Sequence, residues 1–408
     1  MISALKGMKD LYDEEARLYE RVIKTCESVA KNYGFSFINV PHLEQSSLFK
    51  RSVGQSSDIV GKEMYEFTDK ANNEVCLRPE GTAGVVRAYI EHKFDKSSPI
   101  KKWYYHGSMF RYERPQKGRL REFHQFGVES FGVQSVYEDI SLIMMLVNIF
   151  DKLEIKTKLK INSLGCPECI KTFKEKLISF LNSKQGFCED CLRRKELNPI
   201  RVLDCKQEHC QTLLKNCPTI RENLCSSCKI DFELLCEQLK AQGVEFIIDD
   251  RLVRGLDYYS KTAFEFESDE IGAKSAVAGG GRYDLLIESL GGKSGFGIGF
   301  AIGIERLMEI LKQKETCSKR EGIYLCALDE IYIKDLLNIA NKLRKTHKVL
   351  LSYEAKKLAK HLNQADTNKL EIFLCMGENE AKNQSLFYKN LQTKEEKNIL
   401  ISNLKEEL

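Results

Sequence analysis

The spacing of hydrophobic positions predicts one long helix followed by a series of strands. Residues 10–33 carry apolar side chains at helical spacing, with Leu18, Val22 and Val29 on one stripe. Gly34 suits the C-terminal cap of this helix. Four later segments alternate or are rich in aromatic and β-branched residues: 35–40, 74–79, 102–113 and 122–130. Few helical spacings separate them, so the pattern predicts an antiparallel sheet.

The pattern changes twice further along the chain. Residues 166–241 are rich in Cys, Lys and Asn with short helical patterns, and strand character resumes after them. From about residue 321 strands alternate with helices, which is typical of a small α/β domain. We therefore expect an α+β core on an antiparallel sheet at 1–165 and 242–318. A Cys-rich, mainly helical insertion at 166–241 and a C-terminal α/β domain at 320–408 complete the predicted organisation.

Composition narrows the class of protein without indicating a function. The chain has 408 residues, 42% hydrophobic and 30% charged, which is typical of a globular protein of two or three domains. The longest apolar run, 142–150, is too short to span a membrane and predicts a buried helix. The N-terminus lacks an apolar signal segment, so we expect a cytoplasmic protein. A net charge of +4 does not indicate a nucleic-acid partner, which would have to bind local patches.

The insertion holds ten of the 15 cysteines. Eight of them form four close pairs: Cys166/Cys169, Cys188/Cys191, Cys205/Cys210 and Cys225/Cys228. Three of these pairs, all except Cys205/Cys210, have C-x-x-C spacing. Such spacing lets two thiolates bind one tetrahedral ion, and eight thiols suffice for two structural zinc sites. Disulfides are disfavoured in the cytosol. Free core thiols are the alternative, His209 is a possible substitute ligand, and spacing leaves the pairing open.

A basic segment, 111–121, lies between two predicted strands and holds five cations against one Glu. A hairpin loop of this kind suits polyphosphate, although a solvated surface loop is the alternative. On the following strand, alternation puts Gln125 and Glu129 on one face and Phe126 and Val128 on the other. A buried amide and carboxylate require a ligand or a partner to satisfy them.

A second cluster of polar residues lies in 251–260, where Arg254, Asp257, Tyr258 and Tyr259 flank a glycine. Arginine suits the stabilisation of charge that develops on a phosphoryl group. The alternative is a salt bridge at the end of a strand, beside core tyrosines.

The glycine-rich stretches match neither common nucleotide-binding motif. Ile287 stands where a P-loop needs its first glycine, and Ile302 stands where a dinucleotide motif needs its third. The stretch 295–303 is instead a strand of small residues leading into a helix near Ile304. Arg306 would lie in the first turn of that helix, where a cation is unfavourable unless an anion is bound.

Together these segments resemble the class II aminoacyl-tRNA synthetases, and specifically the histidyl-tRNA synthetase family. MFRYERPQKGRLREFHQFGVE (109–129) resembles motif 2 of that family, and GFGIGFAIGIERL (295–307) resembles motif 3. RLVRGLDYY and AGGGRYD (278–284) resemble its two histidine-specific motifs. GFSFINVPHLE (34–44) fits motif 1, and LRPEGTAG (77–84) fits the amino-acid loop.

The resemblance implies a histidine–tRNA ligase that uses ATP and Mg²⁺, acts on L-histidine and tRNA(His), and forms a homodimer through the motif 1 region. Arg254 and Arg111 would be the catalytic cations, because the attacking group is the carboxylate of the substrate itself. The implied histidine-binding residues are Glu80, Gly81, Thr82, Arg111, Gln125, Glu129, Arg254, Tyr258 and Tyr259. The implied ATP-binding residues are Arg111, Glu113, Arg119, Arg121 and Arg306. Arg114 and Gln116 would contact the tRNA acceptor end.

The C-terminal domain resembles the anticodon-binding domain of the family. Lys356, Lys357 and Lys360, expected on one helix, are candidate phosphate contacts, with a solvated face as the alternative. Two other functions compete with the ligase. A regulatory paralogue that controls ATP phosphoribosyltransferase generally lacks intact motifs and this domain. A class II synthetase for another amino acid is opposed by the two histidine-specific motifs.

Overall fold

The computed structural model describes residues 2–54, 57, 59–115, 118–254, 258–271, 275–314 and 320–408. Contacts divide the chain into two compact units, Met1–Lys314 and Glu315–Leu408. The insertion belongs to the first unit. None of the helices in the described ranges combines the length and apolar character that a membrane span requires.

In the first unit the helices are α1 (Asp13–Asn32), α2 (Ser46–Ser52), α3 (Thr82–Glu91), α4 (Phe94–Ser97), α5 (Val136–Lys152), α6 (Pro167–Asn182), α7 (Glu189–Leu197), α8 (Glu208–Leu213), α9 (Ser226–Ala241), α10 (Asp284–Ser289) and α11 (Ile304–Lys314). Its strands are β1 (Ser36–Phe37), β2 (Leu43–Gln45), β3 (Tyr65–Thr68), β4 (Glu74–Leu77), β5 (Lys101–Phe110), β6 (Glu122–Phe131), β7 (Lys158–Ser163), β8 (Phe246–Ile248), β9 (Ser260–Ser268), β10 (Ser275–Arg282) and β11 (Gly297–Gly303).

The large sheet has the order β1-β5-β6-β11-β10-β9-β7-β8. Its pairs are antiparallel except at the two edges, where β1 pairs with β5 and β7 with β8 in parallel. A small antiparallel sheet, β2-β4-β3, accompanies it. The predicted antiparallel core is therefore confirmed.

Helices α1 and α5 cover one face of the large sheet. The α1 stripe of Leu18, Val22 and Val29 is buried in the same cluster as Phe126 and Val128 of β6. Burying each large apolar side chain contributes about 1.5–3 kcal/mol, so this layer fixes which face of β6 is left for a site. α1 ends as the sequence predicts, with Gly34 at a φ of +82° just after the helix.

The insertion is mainly helical, as predicted, and comprises α6 to α9 with short 3₁₀ turns. Phe173, Leu177 and Leu181 of α6 form its core together with Ala263 of β9. Because Ala263 belongs to the large sheet, the insertion is packed directly on that sheet.

The second unit contains α12 (Ile333–Leu343), α13 (Leu358–Thr367), α14 (Glu378–Lys382) and α15 (Leu404–Glu407), with strands β12 (Ile323–Ala327), β13 (Val349–Leu351), β14 (Ile372–Met376), β15 (Ser385–Asn390) and β16 (Glu396–Leu400). The sheet order is β13-β12-β14-β15-β16; the first three strands are parallel and the last two run antiparallel. Alternate residues of β12 pack towards α12 and α13. The predicted α/β domain is thus confirmed.

Several boundaries differ from the sequence-based expectations. β1 covers only two of the six residues in 35–40, and β5 ends at Phe110 rather than at 113. α13 begins at Leu358, so Lys357 is its N-cap and Lys356 precedes it. The expectation of three lysines on one helix is wrong, because only Lys360 of the three belongs to α13.

Candidate active site

A cavity of about 270 Å³ opens on the face of the large sheet opposite α1 and α5. Four neighbouring strands contribute to its wall, namely β6, β11, β10 and β9, together with the segment that follows β5. The β6 alternation is as predicted, because Gln125 lines the cavity while Phe126 lies in the core behind it. The cavity therefore collects polar groups from segments far apart in sequence.

One end of the cavity is cationic. Arg111 follows β5, where its N–H bonds the carbonyl of Arg121 at 2.9 Å, and its Nε donates to the Pro79 carbonyl at 2.9 Å. Glu113 accepts from Arg119 at 3.2 Å and lies 3.9 Å from the Arg111 guanidinium. These groups form a cationic wall with one carboxylate inside it.

Arg306 lines the cavity from the first turn of α11, as predicted. Its guanidinium donates to the Ala276 carbonyl of β10. Burial, followed by the neighbouring Arg119, lowers the Arg306 pKa below its ordinary value. A partly buried cation that faces another cation at a helix N-terminus is a favourable position for a bound anion.

Arg254 lies towards the other end of the cavity. Its Nη1 donates to Glu265 of β9 at 2.7 Å, and its guanidinium lies 5.7 Å from the centre of the Tyr259 ring. Burial disfavours the charged form of Arg254, but Tyr259 and Glu265 outweigh burial and raise the pKa. The guanidinium lies against Gly279, where an added Cβ would be 2.3 Å from Nη2. A glycine at 279 is therefore required for this placement.

Two carboxyl groups lie at the start of α3. Glu80 accepts from the backbone N–H of Thr82 at 2.6 Å and of Ala83 at 2.9 Å. The Thr82 hydroxyl donates to Glu129 at 2.6 Å, and the Tyr283 hydroxyl donates to Glu129 at 2.5 Å. Burial raises the pKa of Glu80, and it raises the pKa of Glu129 to about 8. Burial thus favours the protonated form of Glu129 at neutral pH.

Three buried polar atoms in the cavity wall have no hydrogen-bond partner among the described residues. They are Oε1 of Gln125, Nε of Arg254 and the hydroxyl of Tyr258. An unsatisfied buried polar group costs about 1–3 kcal/mol. An amide, a guanidinium and a phenol facing one cavity are the groups expected to bind a polar ligand that carries both donors and acceptors.

The structure brings most of the expected site residues together. Glu80, Thr82, Arg111, Glu113, Arg119, Gln125, Arg254, Tyr258, Tyr259 and Arg306 all line the cavity.

Other expected residues lie outside the described cavity wall. Glu129 lies behind Thr82, and Arg121 stacks on the Tyr112 ring at 3.7 Å. Gly81 is covered by Tyr105, whose ring an added Cβ would meet at 2.1 Å. Arg114 is exposed on the loop. Gln116 and Asp257 lie outside the described residues.

Sequence reasoning missed two residues that shape the site. Glu265 fixes Arg254, and Tyr283 bonds the buried Glu129. Alternation in TAFEFE (262–267) separates Phe264 and Phe266 from Glu265, so this pattern could have indicated Glu265. Tyr283 has no comparable signal outside its motif.

The eight paired cysteines of the insertion form two groups of four. The base cluster is Cys166, Cys169, Cys225 and Cys228, and the outer cluster is Cys188, Cys191, Cys205 and Cys210. Within each group the sulfur atoms lie within 4.8 Å of one another. His209 lies beside the outer cluster, with Nε2 3.2 Å from the Cys210 sulfur.

An antiparallel sheet that carries a cation-lined cavity, with a separate α/β unit after it, is the architecture of a class II aminoacyl-tRNA synthetase. The family model described as histidyl-tRNA synthetase matches residues 7–307, and the anticodon binding domain matches residues 323–408. The chain therefore belongs to the histidyl-tRNA synthetase family. Enzymes of this family use ATP and Mg²⁺ and bind histidine and tRNA.

Relatives and a solved structure agree with this family over the whole chain. The histidine–tRNA ligases of Campylobacter jejuni subsp. jejuni serotype O:23/36 (strain 81-176) and of Campylobacter lari (strain RM2100) are 73% and 72% identical, each over 100% of both chains. The crystal structure of apo histidyl-tRNA synthetase from S. aureus is 32% identical, with a TM-score of 0.83. That match covers 100% of this chain and 99% of the other.

Proposed function

We propose that the chain is a histidine–tRNA ligase, which activates L-histidine with ATP and transfers it to the 3′ end of tRNA(His). The observation that carries the proposal is the set of unpartnered polar atoms on Gln125, Arg254 and Tyr258 in a cavity whose other end is cationic. Full-length ligase relatives support the proposal, and they disfavour a regulatory paralogue and a synthetase for another amino acid.

In the first step a carboxylate oxygen of histidine attacks the α-phosphorus of ATP. A new O–P bond forms while the bond to the β-phosphate breaks, and pyrophosphate leaves. The chain needs no nucleophile of its own, so its work is to align the reactants and to stabilise negative charge at phosphorus. We assign that charge stabilisation to Arg254 and Arg111. Arg306 and Arg119 hold the outer phosphates.

We assign histidine binding to the part of the cavity that is lined by Tyr258, Tyr259 and Gln125. Glu80 lies within reach of a bound ammonium group, and Glu129 acts from behind Thr82. Magnesium fits this wall, because Mg²⁺ is usually held by one or two carboxylates plus substrate phosphates, and Glu113 supplies such a carboxylate among the arginines. When bound, the ion neutralises charge on the phosphates.

In the second step the terminal ribose hydroxyl of tRNA attacks the carbonyl carbon of the adenylate, and AMP leaves. The exposed Arg114 on the loop after β5 is assigned to the acceptor end, together with Gln116. The unit at 320–408 is assigned to binding of the anticodon. We place the insertion at 166–241 and the catalytic core at 1–165 and 242–318. The cytoplasm, where bacterial tRNAs are charged, is the proposed location.

The test is ATP/pyrophosphate exchange with each amino acid. Histidine alone should support exchange. Arg254→Ala should lower the rate about 10²- to 10³-fold, because one preorganised charge is lost, while histidine binding measured by calorimetry is largely retained. Arg114→Ala is the matched control, since it should slow tRNA charging but leave exchange unchanged. Near-normal exchange by Arg254→Ala would contradict its assignment.

A homodimer through residues 34–44 completes the proposed assembly. Phe37 of β1 and Leu43 of β2 are 50% and 44% exposed, so both offer apolar surface in this region. A second copy of this chain would cover them. Analytical ultracentrifugation should show a dimer that Leu43→Glu weakens, whereas a monomeric wild type would contradict the assignment.

We also assign zinc, as a structural ion, to the cysteine clusters of the insertion. Two groups of four thiols match the all-cysteine sites that zinc occupies in proteins. Metal analysis of the purified protein should give about two zinc ions per chain. Less than one per chain would exclude the assignment.

A further inference from the structure

The sulfur positions in both clusters fit one tetrahedral ion each. The Cys166 sulfur lies 3.5 Å from that of Cys169 and 3.9 Å from that of Cys225, and the Cys188 sulfur lies 3.8 Å from that of Cys205. Zinc–sulfur bonds of about 2.3 Å place tetrahedral sulfurs at about 3.8 Å, whereas a disulfide bond is about 2.05 Å. The clusters therefore have the separation expected of metal-bound thiolates.

Backbone groups in both clusters support thiolates. The Cys225 N–H donates to the Cys169 sulfur at 3.1 Å, and the Cys188 N–H donates to the Cys210 sulfur at 3.3 Å. Gly165, at a φ of +68°, passes close to the base cluster, where an added Cβ would be 2.4 Å from the Cys169 Cβ. The local backbone is thus shaped around the sulfurs.

The base cluster joins the first helix of the insertion to its last helix and lies beside β9. The Gly165 carbonyl accepts from the Lys261 N–H at 2.8 Å, and the Leu164 N–H donates to the Lys261 carbonyl at 2.6 Å. Asp231, in the first turns of α9 after Cys228, accepts from the Lys261 side chain at 3.3 Å. Lys261, two residues after Tyr259, is thereby bonded both to the segment just before Cys166 and to the helix that follows Cys228.

The outer cluster contacts the other end of the same segment. Gln211 follows the ligand Cys210 and donates through Nε2 to the Cys205 carbonyl at 2.5 Å. Its Oε1 accepts from Arg251 at 2.5 Å. Gln211 therefore joins two cysteines of the cluster to a residue three positions before Arg254.

Two further contacts support this arrangement. Arg221, four residues before Cys225, pairs with Asp250 at 2.7 Å. The apolar core of the insertion, which includes cysteines of the outer cluster, also packs against Val253 and Tyr259. The insertion thus contacts 250–254 and 258–261 at positions before, among and after the residues that line the cavity.

We propose that zinc in the two clusters positions residues 250–254 and 258–261, so that the metal-loaded insertion sets the affinity for histidine through Tyr258 and Tyr259. Gln211 and Arg221 are the positioning residues. The proposal rests on the function proposed above, because it assigns histidine to this end of the cavity. It adds that the insertion acts on substrate binding from outside the cavity.

Zinc content is measured first, by native mass spectrometry of the full chain. The wild type should carry two zinc ions, and Cys210→Ser should carry one. Cys217→Ser is the matched control, since Cys217 lies in the insertion outside both clusters, and it should keep two. Iron in place of zinc, disulfides, or fewer than one ion per wild-type chain would overturn the proposal.

Positioning is measured with Gln211→Ala, which leaves every thiol in place. Its histidine Kd by calorimetry and its histidine KM in exchange should rise roughly three- to tenfold, as expected for the loss of one ordinary hydrogen bond. The ATP KM should stay within twofold, and two zinc ions should remain. The control is Gln207→Ala, because the Gln207 side chain is exposed just before α8. This variant should match the wild type.

The outcomes separate this proposal from the proposed function. A wild type without histidine-dependent exchange would contradict the function itself, whatever its zinc content. An active, two-zinc wild type whose Gln211→Ala variant binds histidine normally would overturn the positioning role alone. Removal of zinc by a chelator under reducing conditions should weaken histidine binding, and added zinc should restore it. Unchanged binding after zinc removal would also overturn the positioning role.

Discussion

Replacing Glu129 by Gln should make the catalytic unit more stable at alkaline pH. The Glu129 carboxyl is fully buried, and the hydroxyls of Thr82 and Tyr283 donate to it at 2.6 and 2.5 Å. Burial raises its pKa to about 8, although both hydrogen bonds oppose the rise. A Gln side chain has the shape of the protonated acid but cannot ionise, so it isolates the cost of the buried charge.

The size of the effect follows from the two pKa values of the group. Its ordinary value is 4.5 and its folded value is about 8, and each pH unit between them corresponds to ~1.4 kcal/mol. Because the folded pKa is the higher one, the stabilisation is complete below pH 4.5 and is lost as the pH rises through 8. The wild type should therefore lose roughly 4 kcal/mol relative to Glu129→Gln between pH 5 and 9, because the first part of the loss occurs below pH 5.

Urea unfolding at several pH values would measure this difference. The single tryptophan, Trp103, is the cross-strand neighbour of Glu129 in the large sheet, so its fluorescence reports on the relevant unit. Glu20→Gln, at an exposed ion pair with Lys24, is the control and should follow the wild type. Parallel stability curves for wild type and Glu129→Gln across this pH range would refute the reasoning.

Gly279→Ala should displace the Arg254 guanidinium, 2.3 Å from the added Cβ, and lower exchange at least tenfold while circular dichroism stays native; normal exchange would contradict this. Arg306→Ala should raise the ATP KM about tenfold or more with the histidine KM unchanged, and equal rises in both would argue against a phosphate contact. Arg282→Met should cost about 3–5 kcal/mol in urea unfolding, because Asp139, 2.6 Å away, is left as an unpaired buried charge. A cost under ~1 kcal/mol would contradict that account.

The sequence predicted which face of a strand a side chain lies on, but not whether that side chain reaches the cavity. Alternation correctly separated Gln125 and Glu129 from Phe126, because side-chain direction in a strand has a period of two. It could not show that Glu129 lies behind Thr82 rather than in the cavity wall, because that depends on the neighbouring strands and on α3. Partners such as Glu265 depend in the same way on strand order.

Cysteine pairing was equally beyond the sequence. Spacing indicated that Cys166 and Cys169 act together, but their partners Cys225 and Cys228 lie more than fifty residues away. Only the three-dimensional fold brings the starts of α6 and α9 together. The strands β15 and β16 were also missed, because 385–390 and 396–400 mix polar and charged residues with few apolar ones.

The hydrogen-bond partners of the cavity arginines indicate different roles for the two ends of the cavity. Arg111 and Arg306 are held by backbone carbonyls, those of Pro79 and Ala276. A neutral oxygen fixes a guanidinium without cancelling its charge, so both cations remain available to an anion at low reorganisation cost, although Glu113 also lies 3.9 Å from Arg111. Arg254 is instead paired with the carboxylate of Glu265 and keeps an unpartnered Nε in the cavity wall. We therefore expect the net positive field to draw the triphosphate towards Arg111 and Arg306, which leaves the free donor of Arg254 for charge that develops at the α-phosphorus.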